Sequence, residues 1–92
     1  MSELRNDPAK HQYELLSGDQ VIGLARYRHV RGAVEIYHTE VEDGHEGEGL
    51  GSQLAQFALD DVRAQGQQVI ATCPFIASYI ERHPAYQDLV QP

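Results

Sequence analysis

Three glycines at alternate positions, Gly47, Gly49 and Gly51, stand immediately before a run with helical periodicity. The start of a helix exposes backbone N–H groups that have no partner within the helix. Glycine removes the side chains that would keep an anion away from them. The spacing therefore suits a phosphate cradle or, in the plainer reading, a flexible turn joining two elements. No lysine followed by Ser or Thr completes a Walker loop, and the segments upstream read as hairpins rather than as a dinucleotide-binding βαβ unit. A different diphosphate cradle remains, with Glu46 and Glu48 opposing an anion unless they turn outward.

A second group of residues could move protons or act as a nucleophile. Cys73 falls at a strand end just before Pro74, which suits the first turn of a helix. There the helix dipole favours the thiolate, so Cys73 is either a nucleophile or a small buried hydrophobe. His38 and Glu40 close the preceding strand, and histidine is the natural base near neutral pH. Tyr79 lies one to two helical turns beyond Cys73 and is either an acid or a core residue with a satisfied hydroxyl. The five histidines show no HExxH or cysteine–histidine spacing, so no metal site is expected.

These residues need elements to hold them. "YELL", "VIGLARYRHV" and "AVEIYHTEV" read as strands separated by the turns "SGDQ" and "RG", which makes an antiparallel meander. Strict alternation in the third of these places Val34, Ile36 and His38 on one face, with Glu35, Tyr37, Thr39 and Val41 on the other. Leu50, Leu54, Phe57, Ala58 and Val62 recur at helical intervals, and Gly66 stops that helix. "QVIATC" is a short strand returning by a right-handed crossover, followed by a helix "PFIASYIER" that "HPAY" ends. Residues 1–10 read as a loose, flexible terminus and 11–92 as the folded domain.

Ninety-two residues support one core. An apolar content of 41% with 23% charged residues is ordinary globular composition. A formal net charge of -7 argues against a nucleic-acid binder, which needs a basic stripe. The apolar runs are far shorter than the roughly 20 residues of a membrane span, and the polar start lacks a signal-like segment. A cytoplasmic protein is expected, and its single cysteine forms no internal disulfide.

The stretch "HTEVEDGHEGEGLGSQLAQFALDDVRAQGQQVIATCPFIASYIERHPAYQDLV" resembles the small, minimal members of the GCN5-related N-acetyltransferase superfamily. It shares their HTEV strand, Gly-x-Gly helix start, strand-end Cys-Pro-Phe and His-Pro-x-Tyr closing segment, over about residues 11–90. The resemblance implies an α/β fold of α+β type: a mostly antiparallel sheet, a crossover helix and a C-terminal helix, truncated relative to larger relatives. It implies acetyl transfer from acetyl-CoA to an amine. The backbone of Gly47, Glu48, Gly49, Leu50 and Gly51 would cradle the CoA diphosphate, with a hydroxyl contact from Ser52 and backbone groups of Val41 on the acyl and pantetheine arm. Glu46 stands where the family usually has Gln or Arg. Tyr79 lies near the family's general acid, and Cys73 where a cysteine is a catalytic candidate. Direct attack by the amine and prior acylation of Cys73 both remain open. The short chain implies an acceptor site that is open to a large partner or completed by a second subunit, hence a monomer or a homodimer. A CoA-binding interaction module without efficient turnover, or a structural domain with an empty loop, are the other readings.

Overall fold

A computed structural model describes residues 2–42 and 49–91. Four strands come first: β1 (Ser2–Asp7), β2 (Gln12–Ser17), β3 (Gln20–Val30) and β4 (Ala33–Val41). Helix α1 (Leu50–Ala64), strand β5 (Gln68–Ala71), helix α2 (Pro74–Arg82) and a 3-10 segment (Pro84–Leu89) follow. The strands form one sheet in the order β1-β2-β3-β4-β5, antiparallel except for the parallel β4–β5 pair that α1 connects.

Turn chemistry sets the hairpins. Val30 pairs with Ala33, so Arg31 and Gly32 form a two-residue loop, and both take positive φ as primed hairpin turns require. Two irregularities then break the alternation of the strands. Leu15 opposes Gly23 whereas Leu16 opposes Val21, which leaves Ile22 as an extra residue in β3. Arg26 opposes His38 whereas Tyr27 opposes Ile36, which leaves Tyr37 as an extra residue in β4.

One sheet face and both helices share a single core. Tyr13, Leu15, Ala25, Tyr27, Val34, Ile36 and Val69 pack against Leu54, Ala55, Ala58, Leu59 and Val62 of α1 and Ile76, Tyr79 and Ile80 of α2. The helix expected from periodicity is α1, and it ends in a Schellman motif. Gly66 at φ 71° donates its N–H to Arg63 O at 3.0 Å, and Gln67 donates to Val62 O at 3.2 Å.

The start of the chain departs from the expected loose terminus. Ser2–Asp7 is an ordered edge strand paired along its length with β2. Leu4 packs onto the core, Asn6 accepts a hydrogen bond from the Tyr27 hydroxyl at 2.7 Å, and Arg5 Nε donates to Glu14 at 2.7 Å. Glu14 is fully buried and also takes a hydrogen bond from Gln12, so Arg5 supplies the charge that makes a buried carboxylate tolerable.

Candidate functional site

The site grows out of the extra residue in β4. Before Tyr37 the strand keeps Val34 and Ile36 on the core face, but the bulge reverses the phase of everything after it. Thr39 lies opposite buried Ala25 and Val41 opposite buried Gly23, so these two join the helix side. His38 lies opposite exposed Arg26 and is turned away. This corrects the face assignment read from strict alternation. The exposed His38 ring pairs with Glu40 at 3.5 Å on the side away from Cys73.

The same strand loses its neighbour partway along. β5 pairs with β4 only from Ala33 to Ile36. The Cys73 N–H then closes the junction by donating to Ile36 O at 3.2 Å. Residues 37–41 run on beyond it with no β5 residue beside them. On the β3 side, Glu42 N–H donates to Ile22 O at 2.7 Å. Amides of an antiparallel strand point alternately to its two sides, so those of Glu40 and His38 face β3 while those of Thr39 and Val41 face the opened edge. A recess of about 320 Å³ lies over the end of the β3–β4 pair, lined by Val21, Gly23, Leu24, Glu40 and Val41 among others. Gly23 is small because a side chain there would stand 3.3 Å from the Glu40 carbonyl.

Cys73 sits at the apex of this opening. It is the N-cap residue of α2, buried, with Sγ 3.3 Å from the Thr39 hydroxyl. Pro74 takes the first helical position, where its missing N–H costs nothing. Thr39 was not singled out by sequence reasoning, because its place beside Cys73 depends on the bulge.

The glycine-led start of α1 lies at the same end. Gly49 has φ 74° and ψ 10°, the left-handed conformation, and no side chain caps the helix. Its carbonyl accepts the Gln53 N–H at 3.1 Å, while the first turn carries no acidic residue. Among the described residues the amides of Leu50, Gly51 and Ser52 meet no capping side chain, and a helix start of this kind attracts an anion. Gly51 is small for a further reason: a Cβ there would meet Phe75 Cζ at 3.0 Å. That contact joins the first turn of α1 to the first turn of α2. Gly47 and Glu48, with Glu46, fall outside the described residues.

Tyr79 is not brought to Cys73. Its ring is buried in the core, stacked on His83 at 3.9 Å and 6.0 Å from Tyr86, toward the far end of α2. Desolvation raises its pKa above the usual tyrosine value, and the nearby Asp60 charge adds to this, so its hydroxyl stays protonated at neutral pH. The structure therefore gathers Thr39, Val41, Gly49, Leu50, Gly51, Ser52 and Cys73 at one end, with His38 on the outer face and Tyr79 in the packing of α2. Among the described residues no three metal-ligating side chains cluster, and no helix is long and apolar enough to cross a membrane.

Comparison with known proteins agrees with this geometry. Protein NATD1 of Gallus gallus is 30% identical over 95% of this chain and 81% of its own length, and that of Mus musculus is 30% identical over 97% and 84%. The solution structure of a GCN5-like protein from Staphylococcus aureus superposes with a TM-score of 0.75 at 24% identity, covering 97% of this chain and 87% of that one. A GNAT-family crystal structure from Desulfovibrio desulfuricans gives 0.60 at 21% identity, covering 80% of this chain and 52% of the larger protein. The pattern of the GCN5-related N-acetyl-transferase family matches residues 12–89, and this chain belongs to that family.

Proposed function

We propose that this protein binds acetyl-CoA and transfers its acetyl group to an amine. One observation carries the reading: among the described residues, a strand edge that β5 leaves open, presenting the Thr39 and Val41 amides, ends at the same side of the sheet as the glycine-led start of α1. Together they match a ligand with an anionic diphosphate at one end and a chain of amides at the other.

Bound acetyl-CoA supplies an acyl thioester. The amides of Leu50, Gly51 and Ser52 hold the diphosphate, aided by the Ser52 hydroxyl and by the left-handed turn at Gly49. Val41 receives the arm by strand-like hydrogen bonding. The Thr39 amide faces the opened edge and would donate to an acyl oxygen bound there, a fixed donor of a kind that stabilises the transition state more than the ground state. His38 faces away, so an amine that enters already neutral would attack the thioester carbon directly, the C–S bond breaking and the amine's proton leaving with the CoA sulfur as the thiol.

The Cys73 thiol at the apex, 3.3 Å from the Thr39 hydroxyl at the start of α2, supports a second route, although its burial also suits a core residue. Here the thiol gives up its proton, Sγ bonds to the acetyl carbon and the CoA thiol leaves. The amine then displaces Sγ and restores the cysteine.

Free-thiol release from acetyl-CoA in the presence of a panel of amines and peptides tests the function. Acceptor-dependent, saturable release is expected. Saturable CoA binding without release across a broad panel points instead to an interaction module. Intact mass after acetyl-CoA treatment separates the two routes: direct transfer leaves the protein unmodified and Cys73→Ser active, whereas relay through the thiol gives an acetylated protein that Cys73→Ser cannot form.

A further inference from the structure

The geometry points to Phe75 as the residue that reads the pantetheine arm of the ligand, an inference that rests on the acetyl-CoA reading. Phe75 is the second residue of α2 and stands two positions after Cys73. Its ring tip is directed at the first turn of α1, with Cζ at 3.0 Å and Cε1 and Cε2 at 3.6 Å from where a Gly51 Cβ would lie. The ring nevertheless stays 37% exposed, one of few large apolar side chains to do so. Gly51 does not have the positive φ of Gly49, so backbone conformation does not demand glycine there. The missing Cβ instead makes room for the ring.

This placement wedges an aromatic face between the two parts of the site. Its tip meets Gly51 in the first turn of α1, and its own backbone follows Cys73, which contacts Thr39, by two residues. A ligand reaching from the first to the second runs along the exposed side of the ring. The part of acetyl-CoA between its diphosphate and its thioester is the pantetheine arm, whose methylene and gem-dimethyl groups suit an apolar wall.

Dephospho-CoA and ADP form a pair of probes that differ in that arm and in the one extra charge of the free terminal phosphate of ADP. Calorimetric titration of Phe75→Ala is expected to weaken dephospho-CoA about tenfold, the scale of losing most of one buried apolar contact, and to leave ADP within about twofold. Unchanged ADP affinity also reports that the start of α1 is intact. Phe75→Tyr keeps the wall and should keep the affinity. Gly51→Ala should push the ring aside and weaken dephospho-CoA, with Phe75→Leu in the same chain restoring it. Equal losses for both probes, no loss for dephospho-CoA, or a double variant as weak as Gly51→Ala overturns the assignment to Phe75. A wild-type protein that binds neither CoA nor dephospho-CoA at millimolar concentration overturns the acetyl-CoA reading itself.

Discussion

The two ends of α1 are opposites built from the same backbone device. Each carries a glycine in the left-handed region, Gly49 at φ 74° and Gly66 at φ 71°. At the C-terminal end the backbone is capped. The Schellman bonds satisfy the last carbonyls, Arg63 in the last turn complements the dipole, its guanidinium binds Asp88 at 3.0 Å, and the Tyr86 hydroxyl donates to Asp60 at 2.7 Å. At the N-terminal end no side chain caps the helix and no acidic residue enters the first turn. A helix that needed only to pack would be capped at both ends. Among the described residues the capping interactions of α1 therefore gather at its C-terminal end.

The sharpest way to break the comparison is to give both glycines a side chain. Gly49→Ala and Gly66→Ala should each cost about 1–2 kcal/mol in denaturant melts, because both positions require the left-handed region. Only the change at Gly49 should alter the ligand: CoA affinity is expected to fall at least about tenfold there and to stay unchanged at Gly66. Equal CoA affinities in the two folded variants would remove the functional difference between the ends. A smaller effect belongs to the closed end alone. Tyr86→Phe removes the hydrogen bond to Asp60 and should cost about 0.5–1 kcal/mol of stability with no change in CoA binding.

Alkaline titration sharpens the account of the packed end. Burial and the Asp60 hydrogen bond hold Tyr86 up to about 12, and burial also raises Tyr79, Tyr27 and Tyr13 above the usual value near 10. The folded state therefore binds these protons more tightly than the unfolded chain. Their contribution to stability is full below pH 10 and is lost as pH rises through about 12. Tyrosinate absorbance from these residues should rise together with loss of the circular dichroism signal. A smooth rise near pH 10 in a protein still folded would contradict this packing. The smallest effect is at Asp88. The Arg63 hydrogen bond holds its carboxyl below the ordinary value of 3.8, so the pair's contribution is present above that pH and is lost as pH falls through the lowered value. The pair is exposed, so added salt should erase most of that dependence.

Much of the architecture was legible in the sequence because local rules and tertiary packing agree. "AVEIYHTEV" is β4 to the residue, the periodic apolar stripe is α1, Gly66 stops it, and Pro74 opens α2. The faces of β4 were legible only as far as Ile36. A bulge inserts one residue with no mark in the sequence, and a one-residue change of phase exchanges every side chain after it. That single insertion removes His38 from the site and delivers Thr39. β1 escaped notice because "SELRND" offers one apolar residue among polar and charged ones, the pattern of a protected edge strand as much as of a loose tail. The role of Phe75 required knowing that the starts of two helices meet, which is information held by the packing of α1 and α2 rather than by either segment.

The central claim is that the opened edge of β4 and the uncapped start of α1 form one ligand site. Amide chemical shifts of isotope-labelled protein followed through a CoA titration test it most directly. The account predicts saturable changes at Thr39, Val41, Leu50, Gly51, Ser52 and Cys73, with Gly66 and His83 unmoved. Absence of saturation at millimolar CoA, or changes centred on the closed end of α1, would contradict it.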